Sequence, residues 1–79
     1  MKNLSLLEVE NNKECIVDGF SSSLPIEIIK RLNNFGIIKG ARISLIKLSR
    51  FSKSGIVSAL DTCVCLDFGV LEKIWVKQL

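Results

Sequence analysis

Hydrophobic and polar positions alternate along most of this chain, and only one stretch follows a helical period instead. Strict alternation over several residues is typical of a half-buried strand, whereas apolar positions three and four residues apart indicate a helix. The alternating runs predict strands in five places: residues 14–20, 41–48, 55–60, 63–67 and 74–76. The mostly apolar residues 4–9 predict a further short edge strand, and Asp61 with Thr62 predicts the turn of a hairpin.

A single amphipathic helix is predicted after the strand at residues 14–20. Its apolar residues recur at helical spacing and form one stripe, which is expected to face the core. They are Leu24, Ile28, Leu32 and Phe35, with Ile29 widening the stripe. The helix spans about three turns. Residues 69–73 are long enough for one further helical turn.

Both ends of the predicted helix carry recognisable signals. Ser23 can cap the first turn with its hydroxyl, and Pro25 fits within that turn, where a missing N–H costs nothing. Gly36 stands where the helix needs a residue with positive φ, which glycine adopts cheaply. Gly40 marks a second turn before the next strand. The run from Arg31 to Gly40 therefore predicts a helix end, a glycine stop, a turn and the start of a strand.

The strand that follows Gly40 changes its alternation halfway. Ile43 and Leu45 share one face, but Ile46 and Leu48 are out of phase with them. A bulge or sharp bend near residues 45–46 would keep both pairs inside, as happens where one strand serves two sides of a small barrel. We therefore predict a bulged strand here.

Five or six short strands with one well-marked helix predict a mainly β, partly open small barrel or an α+β fold. A parallel sheet is not expected, because only one connection is long enough to hold a full helix. No repeat and no domain boundary is evident, so residues 1–79 are predicted to form a single domain.

Composition narrows the function classes. The chain has 79 residues and no histidine, and it carries no nucleophile elbow or P-loop, so neither an enzymatic activity nor a cofactor or small-molecule substrate is predicted. No apolar run approaches the roughly 18 residues that span a bilayer. The amino terminus has no long apolar region, so no signal peptide is expected and the chain is predicted to be cytoplasmic.

Three cysteines give the chain a weak candidate metal site. Cys63 and Cys65 would point to the same face of a strand about 7 Å apart, and Cys15 could supply a third soft ligand. Such ligands suit zinc or copper(I) better than ferrous iron. The alternative is that small, apolar free cysteines simply pack on a sheet face. No fourth ligand is evident, so no metal is assigned.

Charge is distributed unevenly. Residues 28–60 contain seven basic residues and no acid, although the net charge of the whole chain is only +3. Three interpretations stay open: a solvated helix and loop face, a surface for an acidic partner or anionic headgroups, and a nucleic-acid site. The last is disfavoured because the strands lack aromatic side chains on which bases could stack.

The chain resembles the FeoA family, small accessory proteins of bacterial ferrous iron transport. Residues 4–7 resemble the Leu-rich opening of that family, residues 31–40 its Arg-Leu…Gly…Gly element, residues 64–66 its late aliphatic strand and residues 74–76 its Ile-x-Val ending. The resemblance implies an SH3-like barrel with an inserted helix.

The resemblance also implies a role. Members act as cytosolic partners of the membrane GTPase-transporter FeoB, through protein–protein contacts at the inner face of the membrane. The same domain is attached to iron- or manganese-dependent repressors. The alternative function is therefore a nucleic-acid-binding or metal-regulator-type domain that uses the basic central segment.

Partner contact is predicted for exposed basic and aromatic side chains. Trp75 lies between two apolar residues, so alternation sends its ring outward if they face the core; it is then either an interface anchor or a cover for the open end of the barrel. The predicted contact residues are Arg31, Lys39, Arg42, Phe51 and Trp75. An open barrel edge also invites pairing with a second copy of the chain.

Overall fold

The computed structural model describes residues 4–79 of the chain. Residues 1–3, on which the expectation of no signal peptide partly rests, lie outside the described residues. The strands are β1 (Leu4–Ser5), β2 (Glu14–Phe20), β3 (Arg42–Ser49), β4 (Ser54–Ala59), β5 (Thr62–Asp67) and β6 (Ile74–Gln78). The helices are α1 (Ile26–Asn34), α2 (Phe68–Leu71) and a 3₁₀ turn at Leu6–Glu8.

All six strands belong to one antiparallel sheet in the order β1-β6-β2-β3-β4-β5. The first strand lies at an edge, as predicted, and β5 lies at the other edge. The prediction that this strand spans residues 4–9 is wrong, because it ends at Ser5 and Leu6–Glu8 form the 3₁₀ turn. Within residues 4–79 no pairing joins these two edges, so the sheet does not close into a complete barrel. The predicted mainly β architecture with one inserted helix is confirmed. No helix of the described residues is long and apolar enough to cross a bilayer.

Strand β2 lies at the centre and faces the core with every second residue. Cys15 and Val17 are 0% and 1% exposed, and they lie between β6 on one side and β3 on the other. Burial of apolar side chains between the sheet and the helix is the main stabilising term, at roughly 25 cal/mol per Å² of apolar surface. The buried core consists of Leu6, Val9, Cys15, Val17, Leu24, Leu32, Ile37, Ile43, Leu45, Val57, Ala59, Leu71, Ile74 and Val76.

The helix α1 ends as the glycine signal predicts. Gly36 has φ +90° and donates its N–H to the carbonyl of Asn33, while Ile37 donates to the carbonyl of Leu32. These two bonds satisfy carbonyls that the helix end would leave free. The prediction that Phe35 is buried is wrong, because its side chain is 37% exposed. The chain reverses at Gly36, and Ile37 takes the core position instead with no exposure.

The start of α1 differs from the prediction. The residue before the helix is Pro25, so proline precedes the first turn, and no side-chain cap is present there. The expectation that Ser23 caps the helix is wrong, because its hydroxyl lies 2.9 Å from that of Ser21. The helix begins three residues after Ser23, at Ile26, which is too far along the chain for that serine to reach its first N–H groups.

The bulge predicted in β3 is present, but it does not bury both apolar pairs. The register with β4 shifts between Leu45 and Lys47, so Ile46 is the extra residue. Leu45 is buried and Leu48 packs partly against the core, whereas Ile46 is 36% exposed. A single extra residue shifts the alternation of the residues that follow it, but the extra residue itself has no pairing partner on the neighbouring strand.

The β4–β5 hairpin turns one residue earlier than predicted. Ala59 pairs with Thr62, so the turn consists of Leu60 and Asp61. Leu60 has φ +56° and is 81% exposed. After β5, the carboxylate of Asp67 accepts a hydrogen bond of 3.0 Å from the N–H of Val70 and caps α2.

Alanine at Gly36 and alanine at Gly40 should destabilise the protein by similar amounts. The two glycines have φ of +90° and +89°, so each substitution carries a similar backbone penalty of about 1–2 kcal/mol. At Gly36 the new Cβ would come within 2.8 Å of Leu60 Cδ1, but the Leu60 side chain is 81% exposed and can move aside; at Gly40 the Cβ meets nothing within 4 Å. Chemical denaturation measures the two losses. A variant with alanine at either site that is as stable as the unmodified protein would contradict the backbone penalty.

Candidate partner-binding surface

A bulge in β2 shapes the outer face of the sheet. Val17 pairs with Val76 and Gly19 pairs with Trp75, so Asp18 is an extra residue between them. Bulges locally increase strand twist and re-aim the neighbouring side chains. Because the residue opposite Trp75 is a glycine, no β2 side chain stands directly across from the indole on this face.

Trp75 is held in place by its neighbours along β6. Ile74 and Val76 are fully buried, and alternation therefore turns the indole to the outer face, where it is 36% exposed. The predicted outward orientation of Trp75 is confirmed. Since the strand is anchored by two core residues, the ring is presented from a rigid element and not from a loop.

Basic side chains lie beside Trp75 on the same face. Arg42 of β3 pairs with Ile16 of β2, which in turn pairs with Lys77 of β6. The three residues form one row across the sheet, in which Arg42 and Lys77 are two strand spacings, about 10 Å, apart. Trp75 follows on β6 two residues from Lys77, about 7 Å along the strand. We call Ile16, Lys39, Arg42, Trp75 and Lys77 the outer-face cluster.

One acid neutralises only part of this charge. The ammonium of Lys77 lies 3.5 Å from the carboxylate of Asp18. In the part of the chain that the structure describes, no carboxylate pairs with Arg42 or Lys39. Arg42 therefore remains an unpaired cation on this face, and Lys39 remains one in the turn that precedes β3. Exposed charges of this kind attract acidic surfaces over about a Debye length.

Lys39 joins the cluster through a turn that is fixed to the bulged strand. Gly40 donates its N–H to the carbonyl of Val17 at 2.8 Å, and Ala41 donates to the carbonyl of Ile38 at 2.9 Å. These bonds hold the turn against β2 beside the bulge. Lys39 is exposed within it, and the side chain of Ile38 is 47% exposed.

The other two predicted contact residues lie elsewhere. Phe51 is completely exposed in the loop between β3 and β4, at the opposite end of β3 from Arg42, roughly 20 Å away along the strand. Arg31 lies on α1 and lines a separate groove of about 330 Å³. The structure thus places Arg42 and Trp75 on one face of the sheet, and Lys39 in the turn that is hydrogen-bonded to β2. Lys77 and Ile16 also lie on this face, although neither was among the predicted contact residues. Lys77 could have been predicted from the sequence, because it lies two residues from Trp75 on the same face of the strand.

The three cysteines do not form one site. Cys15 is buried, and its thiol donates to the carbonyl of Ile43 at 3.5 Å. Cys63 and Cys65 are exposed on β5, with two strands between them and β2. Within residues 4–79 no group of three or more His, Cys, Asp or Glu side chains is placed to hold a metal ion. The packing interpretation holds for Cys15 and is wrong for the other two.

The chain is similar to known proteins in both sequence and structure. The family model described as the FeoA domain matches residues 4–78. No curated protein sequence matches the chain. Among solved structures, an iron uptake regulatory protein (FeoA) superposes with a TM-score of 0.80 at 18% identity, with 100% of both chains covered. A FeoA-like protein from Clostridium acetobutylicum gives 0.82 at 19% identity, over 100% of this chain and 90% of that one.

A structure described as a manganese-dependent transcriptional repressor is similar as well. It gives a TM-score of 0.88 at 19% identity, over 100% of this chain but only 42% of that chain. Likeness at such low identity shows a common fold and nothing about what each protein binds. The superpositions confirm the predicted SH3-like fold.

The stability of the protein should fall as the pH rises from about 9 towards 11. Burial raises the pKa of the Cys15 thiol from 9.0 to about 11. Between these values the unfolded chain has lost the Cys15 proton while the folded chain keeps it, so rising pH favours unfolding. Urea denaturation of the protein and of Cys15→Ala at pH values of about 8 and about 10.5 tests this. All other titrating groups are common to both, so an identical pH dependence in the two proteins would contradict the assignment.

Proposed function

The chain belongs to the FeoA family of ferrous iron transport accessory proteins, and from this premise we propose that it binds the cytosolic part of the membrane GTPase-transporter FeoB through its outer-face cluster. It acts by contact and not by chemistry. On this proposal the chain is cytoplasmic and reaches the inner face of the membrane only through its partner.

The observation that carries the proposal is an exposed tryptophan beside unpaired cations on a rigid sheet. Tryptophan and arginine are the residues most enriched among those that dominate binding energy at interfaces. The buried Ile74 and Val76 hold Trp75 in one orientation, so little conformational entropy is lost when a partner covers its ring. This combination supports a protein-binding surface.

The charge of the cluster indicates the character of the partner. Arg42 and Lys39 have no carboxylate partner among residues 4–79, so an acidic surface on the transporter is favoured. Peripheral charges of this kind mainly raise the association rate, whereas a buried aromatic anchor mainly slows dissociation. The two parts of the cluster should therefore act on different rate constants.

Removing the indole should weaken binding to the purified cytosolic domain of FeoB by about 30-fold, equivalent to about 2 kcal/mol. Trp75→Ala is expected to raise the dissociation rate. Arg42→Glu should lower the association rate several-fold, and the loss should shrink at high salt because surface charges are then screened. Surface plasmon resonance at two ionic strengths measures both rates.

Matched controls lie at the opposite end of β3. Phe51→Ala removes an exposed aromatic ring and Arg50→Glu reverses an exposed charge, both outside the cluster. The proposal expects neither to change the affinity. It would be overturned if Trp75→Ala and Arg42→Glu bound as the unmodified chain does, or if the two controls lost as much affinity.

A metal-regulator-type or nucleic-acid-binding role is the second candidate. Its support is the similarity to the repressor, in which this fold forms less than half of the chain, together with the basic central segment. Affinity for DNA or RNA that falls steeply with salt would favour it. Absence of binding to DNA or RNA at low salt would rule out this second candidate, since contacts to phosphate groups are strongest at low salt.

A further inference from the structure

Two exposed thiols on β5 have no structural explanation. Free cysteine is among the most buried residue types and normally packs as a small apolar side chain. Cys15 behaves in that way, but Cys63 and Cys65 both face solvent, while Val64 and Leu66 between and beside them turn partly inward. Packing therefore accounts for the alternating apolar residues of this strand and not for its thiols.

The strand holds the two thiols at a fixed separation. Residues two apart on a strand lie about 6.5–7 Å from one another with their Cβ atoms on one face. A disulfide needs Cβ atoms about 3.5–4.5 Å apart, so the intact strand keeps the pair from closing on itself. The pairings of Cys63 with Ser58 and of Cys65 with Ile56 fix this spacing within the sheet. Two thiol sulfurs that lean towards each other can nevertheless share one ion between them.

Cys65 borders a groove that carries one cation and one carboxylate. The groove, of about 330 Å³, lies between α1, β5 and α2, and Arg31 lines it from the helix while Asp67 lines it from the end of β5. The other lining side chains are apolar and include Ile28, Phe35 and Val70. Beside this partly apolar wall, Arg31 offsets part of the negative charge of a thiolate complex and of Asp67.

We propose that Cys63 and Cys65 form a two-thiolate site for a soft monovalent metal ion, copper(I). Thiolate sulfur selects copper(I), zinc and iron–sulfur clusters among the biological metals. Structural zinc requires four ligands, and residues 4–79 offer no group of even three. Copper(I) has a filled d shell and forms stable complexes with two sulfur ligands in linear coordination. Ferrous iron is not expected to compete for two thiolates.

The binding step changes no oxidation state. Each thiol releases one proton, the two sulfurs bind one Cu⁺, and the resulting bis-thiolate complex carries one negative charge, which Arg31 faces across the groove. Metal affinity should therefore rise with pH as protons are removed. None of the residues of this site belongs to the outer-face cluster. A failure of the copper(I) site would therefore leave the proposed function unaffected, and a failure of the proposed function would leave the copper(I) site unaffected.

Titration of the anaerobically reduced chain with copper(I), in the presence of a competing copper(I) chelator, tests the site. One copper(I) per chain is expected. Cys63→Ser and Cys65→Ser should each lower the affinity by at least about 100-fold, since one of two metal ligands is lost. Cys15→Ala is the matched control, because it removes a thiol that is buried, and it should leave the affinity unchanged.

Two further measurements sharpen the test. Arg31→Gln should weaken copper(I) binding several-fold without changing the stoichiometry, whereas Arg50→Gln, outside the groove, should have no effect. X-ray absorption should find two sulfur neighbours around the copper. The proposal is overturned if the Cys63→Ser/Cys65→Ser double variant binds copper(I) as tightly as the unmodified chain, if one ion binds per two chains, or if ferrous iron displaces copper(I) at equal concentration.

Discussion

The two-sided pairing of β2 is the constraint on which the rest of this structure depends. Strands β3, β4 and β5 follow one another as hairpins and form one half of the sheet, while β1 and β6 bring the two ends of the described chain together in the other half. Among the strands of residues 4–79, only β2 joins these halves. Its inward residues Cys15 and Val17 are almost fully buried, so the ladder and the apolar core hold the same strand in register. A slip by one residue would turn both side chains outward.

The same strand determines the outer surface. Its bulge at Asp18 shifts the register with β6, and the shift brings Trp75 opposite a glycine while the row from Arg42 through Ile16 to Lys77 stays intact. The salt bridge between Lys77 and Asp18 is partly exposed and contributes little to stability. Its main consequence is electrostatic, because it leaves Arg42 and Lys39 as the free cations of the cluster. Strand β2 therefore contributes to the core with one face and to the proposed contact surface with the other.

Much of the fold was predictable, because the signals are local. The alternation of β2, the helical stripe ended by Gly36 and the bulge in β3 each depend on neighbouring residues only. The predictions that failed depend on the path of the chain. Phe35 continues the helical stripe, but the chain reverses after it. Gly55 offers no sequence signal, yet a Cβ there would come within 2.9 Å of Leu48 and Leu71. The outward position of Trp75 followed from alternation, whereas its proximity to Arg42 requires the register of three strands, which no local pattern contains.

The central claim is that the partner covers the outer face of β2, β3 and β6. The chain has a single tryptophan, so its indole N–H gives one NMR resonance that reports directly on that face. Addition of the cytosolic domain of FeoB to the labelled chain should shift the Trp75 indole signal and the amides of Ile16, Arg42 and Lys77. Shifts confined to α1 or to the loop that carries Phe51, with the indole unchanged, would contradict the account.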